Sequence, residues 1–137
     1  MHVTLSFLGQ VHEARRDVIE QALATIRAPR MNLHLGGIGT FDRAGVLYAR
    51  VKPSPELLAR ADQVVTAMES IGFARENRPY SPHITLARSR DRLRLRSATS
   101  DDAAFHQSFG ATEFRLYQSL TLPGGAQYQV LRAFPLD

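Results

Sequence analysis

A chain of 137 residues, 44% apolar and 22% charged, has the composition of a globular domain large enough to bury one core. The absence of cysteine excludes disulfides, thiol nucleophiles and the common cysteine-based zinc sites, and no run approaches the ~18–20 apolar residues that a membrane-spanning helix needs. The formal charge of +4 rests on sixteen arginines and one lysine, a bias that suits phosphate recognition by flat guanidinium forks and that codon preference also produces.

Taken in chain order, the alternation of His2-Val3-Thr4-Leu5-Ser6-Phe7-Leu8 predicts a strand, which Gly9 closes. From Val11 to about Ile26 the spacing predicts a helix, with Val11, Ala14, Val18, Ala22 and Ile26 on one stripe, Ile19 and Leu23 beside it, and Pro29 beyond its end. Met31, Leu33 and Leu35 share one side of a strand, and Val46 to Lys52 reads as another. Ser54 is a helix N-cap, with Pro55 at the first helical position and Glu56 at the positive end of the dipole. Leu57, Leu58, Ala61, Val64, Val65, Met68 and Ile71 form the helix's apolar face, and Gly72 stops it. A loop of Glu76 to Pro82 leads into a strand from His83 to Arg88. Residues 89–103 are polar and match no element. Two strands flank Pro123-Gly124-Gly125 as a hairpin. Antiparallel strands with two helices give an α+β domain over residues 1–137, and without a basic-then-apolar leader its expected setting is the cytoplasm.

The chain repeats itself. His2-Val3-Thr4-Leu5 returns as His83-Ile84-Thr85-Leu86. The second copy follows a strand and a helix, whereas the first stands at the start of the sequence. With the second half as template, the expectation is a first half short of roughly 35 residues. That leaves a sheet edge free to pair with a second copy and a weakened first motif.

Residues two apart on a strand share a face, so each copy offers an imidazole and a hydroxyl on one side and two apolar anchors on the other. Imidazole gives and takes protons near neutral pH. Two of them across a cleft supply a general acid and a general base, and the hydroxyls of Thr4 and Thr85 donate to phosphoryl oxygens, which is equipment for attack on a phosphodiester without a metal or a cofactor. One such tetrapeptide is ordinary in a solvent-facing strand. Two by chance run to on the order of one in ten thousand for this composition, which favours a paired site.

With both copies quoted, the chain resembles the two-histidine phosphoesterases, and most nearly the RNA 2′,3′-cyclic phosphodiesterases also called 2′-5′ RNA ligases. The resemblance extends through Leu35 to Phe41, Val46 to Val51, Arg78 to Arg88 and Leu116 to Leu136. It implies a bilobal α+β fold of antiparallel sheets with helices outside and a central cleft, here N-terminally truncated. It implies hydrolysis of RNA 2′,3′-cyclic phosphate ends to 2′-phosphomonoesters, with 2′-5′ joining as the reverse. It also implies His2 as proton donor, His83 as proton acceptor, and Thr4 and Thr85 on the phosphate. The residues alone leave open which histidine is the acid.

Arg88, Arg90, Arg92, Arg94 and Arg96 fall at every second position, a basic face if they lie on a strand and a solvated loop if they do not. Arg88, beside the second motif, is a candidate phosphate ligand. Phe41, after a glycine-rich run, is a candidate platform for a nucleobase, and Tyr80 and Tyr128 are similar cases, although each ring could equally pack into the core. Gly36, Gly37 and Gly39 lack the Lys-Ser/Thr of a phosphate loop and are read as backbone turns. His12, His34 and His106 have no threonine two residues on and are read as structural, and no spacing of His, Asp and Glu reads as a metal site. Two rival readings remain: a binder of RNA ends or nucleotides without turnover, and a phosphodiesterase for small cyclic nucleotides.

Overall fold

A 3-10 turn at Glu13–Arg15 leads into α1, Arg16–Ala24, in the computed structural model, which describes residues 2–89 and 105–137. The tighter turn, at about 3.0 residues per turn, shifts the helical phase relative to Val11 and Ala14. Ile19 and Leu23 therefore form the buried face, while Val18, expected at its centre, is exposed. Val11 and Ile26 lie beyond the helix yet pack against its core.

The strand β1, Met31–Phe41, and the strand β2, Val46–Val51, pair antiparallel. Gly37 adopts φ 91° where their register shifts between Leu35 and Ile38, so this glycine makes a bulge that a side chain would strain. Helix α2, Pro55–Glu69, starts as its sequence dictates, with the Ser54 hydroxyl accepting from the Leu57 N–H at 3.2 Å. Gly72, at φ 102°, turns the chain so that the Phe73 N–H bonds back to the Met68 carbonyl at 3.0 Å.

Strand β3, His83–Arg88, pairs with β2, and the short strand β4, Ser108–Ala111, pairs with β1, giving an antiparallel sheet in the order β3-β2-β1-β4. Strand β5, Glu113–Leu122, and strand β6, Gly125–Pro135, form the expected hairpin as a two-stranded sheet. The architecture is the α+β arrangement of antiparallel sheets and two helices that the sequence predicts. Residues 90–96, with Arg90, Arg92, Arg94 and Arg96, lie outside the described residues. No helix among the described residues is long and apolar enough to cross a membrane.

One core joins α1, α2 and β6 through Ile19, Leu23, Val64, Met68 and Phe134. A second joins the four-stranded sheet to α2 through Leu33, Val51 and Leu57. Leu5 packs against both. This explains a departure from expectation: the segment from His2 to Leu8 is not a regular strand but meets a ladder only at Val3. Its course is set by threading between two cores rather than by continuous pairing.

Candidate functional site

Val3 and Ile84, the middle residues of the two motifs, form an antiparallel bridge. The flanking residues of such a pair oppose one another in reverse order, which sets His2 opposite Thr85 and Thr4 opposite His83, with all four on one side. The two histidines are diagonal neighbours, a relation that holds Cα atoms about 7–8 Å apart. On the reverse side Val3, Leu5 and Ile84 pack against Leu33, Val51 and Leu57, while Leu86 packs against Ile38 and Leu47.

Tyr80 fastens this arrangement. Its phenol donates to the Thr4 carbonyl at 2.7 Å, tying the approach to the second motif to the backbone of the first. Burial pushes the phenol's pKa up to about 12. Tyr80 is therefore a cross-brace rather than the exposed base platform considered from sequence.

The His83 Nδ1 lies 2.9 Å from the Ser81 carbonyl. A carbonyl only accepts, so Nδ1 carries the proton and Nε2 is the nitrogen left for chemistry. The His2 pKa is lowered, first by burial, then by the positive N-terminal amine and then by the charge of His83. The last of these means that the His2 imidazole feels the charge of His83.

Aromatic rings surround both imidazoles. Phe41 and Tyr48 stack on one another at 4.2 Å between centroids and present edge-on contacts to His83 at 5.2 and 5.5 Å. Tyr117 stacks on His2 at 5.3 Å, and Tyr128 meets it edge-on at 4.9 Å. Phe41, a residue singled out from sequence, thus reaches the second motif. Gly39 makes room for the Tyr48 ring: a Cβ there would fall 2.6 Å from the phenol oxygen and 2.7 Å from Cζ. Among the three glycines read as turns, Gly39 serves instead as a gap.

Arg88 reaches the site's side of the sheet through a bulge. Tyr48 pairs with Thr85 and Leu47 with Ala87, so Leu86 is the extra residue, and Arg88 comes opposite Val46. Val46 and Tyr48 lie on one side of β2, so Arg88 regains the phase of Thr85, with an exposed side chain. Arg50, not singled out from the sequence, lies directly opposite His83 and donates to the Ile38 carbonyl at 2.9 Å. Tyr48, Arg50 and Tyr117 carry no motif of their own, and only the strand register brings them to the site.

Two of the other histidines have local partners. His12 accepts from the Ala14 N–H at 3.1 Å as a cap, and His34 contacts the Ser108 hydroxyl at 2.5 Å. Among the described residues no three of His, Asp and Glu gather in a group that could hold a metal ion.

The sequence profile of the 2′-5′ RNA ligase superfamily matches residues 1–120. The chain is 30% identical over 137 aligned positions to the RNA 2′,3′-cyclic phosphodiesterase of Escherichia coli K12, an alignment spanning 99% of this chain and 76% of that protein. It is 32% identical over 142 positions to the RNA 2′,3′-cyclic phosphodiesterase of Archaeoglobus fulgidus, spanning 98% and 78%. The crystal structure of E. coli LigT complexed with 3′-AMP superposes with a TM-score of 0.80 at 29% identity, covering 98% of this chain and 76% of that one.

Proposed function

We propose that this chain, which belongs to the 2′-5′ RNA ligase superfamily, hydrolyses RNA 2′,3′-cyclic phosphate ends to 2′-phosphomonoesters with His2 and His83 as its acid and base. The observation that carries the reading is the Val3–Ile84 bridge, which turns two distant tetrapeptides toward one another as neighbours on a single face. The relatives from E. coli and A. fulgidus, RNA 2′,3′-cyclic phosphodiesterases that align with nearly the whole chain, supply the substrate class. The two sheets serve as lobes of one domain, with the site between them.

In the reaction a water attacks phosphorus and passes its proton to His83 Nε2. The bond from phosphorus to O3′ breaks on the opposite side, and His2 delivers its proton to the departing oxygen. Nδ1 of His83, anchored on Ser81, keeps Nε2 directed at the water. The hydroxyls of Thr4 and Thr85 and the guanidinium of Arg88 hold the non-bridging oxygens, and Phe41, beside His83, takes the base of a nucleoside that enters in place of water. His2 as donor follows the family pattern. Burial and positive neighbours disfavour its charged form in the protein alone, and the negative phosphate favours it, so substrate itself loads the acid. Joining follows the same path, with a 5′-hydroxyl attacking phosphorus in place of water and passing its proton to His83 while O3′ leaves.

A synthetic RNA ending in a 2′,3′-cyclic phosphate tests the reading. The expected product is the 2′-phosphomonoester alone, lost in both His2→Ala and His83→Ala. An intact end after incubation with the wild-type chain, or full rate in either variant, refutes it.

A further inference from the structure

The two motif histidines sit in ring clusters built on one plan. Around His83, Tyr48 lies half-buried against the strand ladder, and Phe41 covers it with 37% of its own surface exposed. Around His2, Tyr117 is the half-buried ring stacked on the imidazole, and Tyr128 stands perpendicular to it at 6.3 Å, 50% exposed. Tyr128 lies on β6 opposite Ser119, whose side chain is too small to shield a ring. Each cluster therefore presents one backing ring and one open ring, and the open ring borders the imidazole in both.

A large exposed aromatic beside an acid–base pair has a direct use for a nucleic-acid substrate, because every base offers a face for stacking. Resting on the function proposed above, we infer that Tyr128 is the stacking platform for the base of the nucleoside that bears the cyclic phosphate. The argument is geometric. In an in-line displacement the attacking and leaving oxygens lie on opposite sides of phosphorus. The leaving O3′ belongs to the cyclic-phosphate nucleoside and takes its proton from His2, so that nucleoside lies on the His2 side, against Tyr128. The opposite side, at His83 and Phe41, receives water in hydrolysis and the 5′-hydroxyl nucleoside in joining. Two open rings flanking one phosphate thus fit a junction of two nucleosides.

The test crosses protein variants with substrates. Adenosine 2′,3′-cyclic phosphate is compared with 1-O-methyl-ribose 2,3-cyclic phosphate, which lacks a base, in the wild-type chain, Tyr128→Ala and Tyr128→Phe. The expected result is that the kcat/KM preference for the adenosine compound collapses by about 5- to 150-fold in Tyr128→Ala and survives in Tyr128→Phe. Equal losses on both substrates make Tyr128 only a support for His2 and overturn the inference, as does an unchanged preference. If the wild-type chain turns over neither substrate and also leaves a synthetic RNA 2′,3′-cyclic phosphate end intact, the functional reading fails instead. The Kd of adenosine 2′-monophosphate against 1-O-methyl-ribose 2-phosphate in the same variants then decides the platform by the same criterion.

Discussion

Gly39→Ala perturbs the site without touching either motif. The new methyl carbon would lie 2.6 Å from the Tyr48 oxygen, 2.7 Å from its Cζ and 2.8 Å from Arg50 Nη2. Ordinary contact needs about 3.5–4.0 Å, so these groups must retreat by roughly 1 Å. Arg50 ends in a flexible chain and yields. Tyr48 is rigid beyond its second torsion and is stacked on Phe41 at 4.2 Å, so its ring carries the displacement toward His83, 5.5 Å away. Overpacking of this kind costs about 1–3 kcal/mol of stability. A catalytic group misplaced by about 1 Å costs on the order of 10²-fold in rate. The assay is a double-mutant cycle on cyclic-phosphate hydrolysis with Gly39→Ala, Tyr48→Ala and the pair. The loss from Gly39→Ala should largely vanish once Tyr48 is replaced by alanine, because the clash has gone. Additive losses would falsify the argument that Gly39 exists to house that ring.

Leaving-group chemistry separates the acid from the base. On a p-nitrophenyl phosphodiester of adenosine, whose leaving group needs no proton, His2→Ala should recover most of the ~10²–10⁴-fold loss it shows on the cyclic phosphate, whereas His83→Ala should be as slow on both; the opposite pattern exchanges the two roles. Because the His2 pKa is lowered in the protein alone and a phosphate favours the charged ring, binding of a non-titrating phosphodiester should take up a proton. The affinity should be greatest below the free-protein pKa and fall as pH rises through the bound value, and His2→Asn should abolish the uptake measured by calorimetry in buffers of different ionisation enthalpy. Tyr80→Phe removes the bond to the Thr4 carbonyl and should cost about 0.5–1.5 kcal/mol in denaturant unfolding. The variant's kcat should fall further than that modest loss of stability explains, since the bond registers one motif on the other; an unchanged kcat refutes the bracing role.

What could be read from the sequence was local. The N-cap at Ser54, the stop at Gly72 and the hairpin at Pro123 depend on residues a few positions apart, and all three occur. The histidine–threonine pairs were legible because a period of two is local as well. Three features were not legible, each for a physical reason. The strand Ser108–Ala111 has four residues and a glycine, too few to show alternation, and it exists because Met31 to His34 pair with it. The exposure of Val18 follows from a 3-10 turn that no apolar spacing records. The contributions of Tyr48, Arg50 and Tyr117 depend on which residue of one strand meets which residue of another, and the bulge at Leu86 that rephases Arg88 is likewise a property of the pair of strands.

The register of the two motifs is itself enforced by burial. Because Val3 opposes Ile84, Thr4 faces the histidine of the other motif, and Thr85 faces the first. Each half therefore places a threonine beside the other's histidine. A slip of one residue in the first segment would reverse its side chains, sending His2 toward Leu33, Val51 and Leu57 and bringing Val3 to the opposite face, while β3 stays paired with β2. Leu57 and Val51 are only 1% and 2% exposed, so that slip would bury the His2 imidazole with no polar partner and expose Val3, each change unfavourable by on the order of 1–3 kcal/mol. The apolar residues between histidine and threonine thus do more than fill space: they select the register that sets both imidazoles on one face.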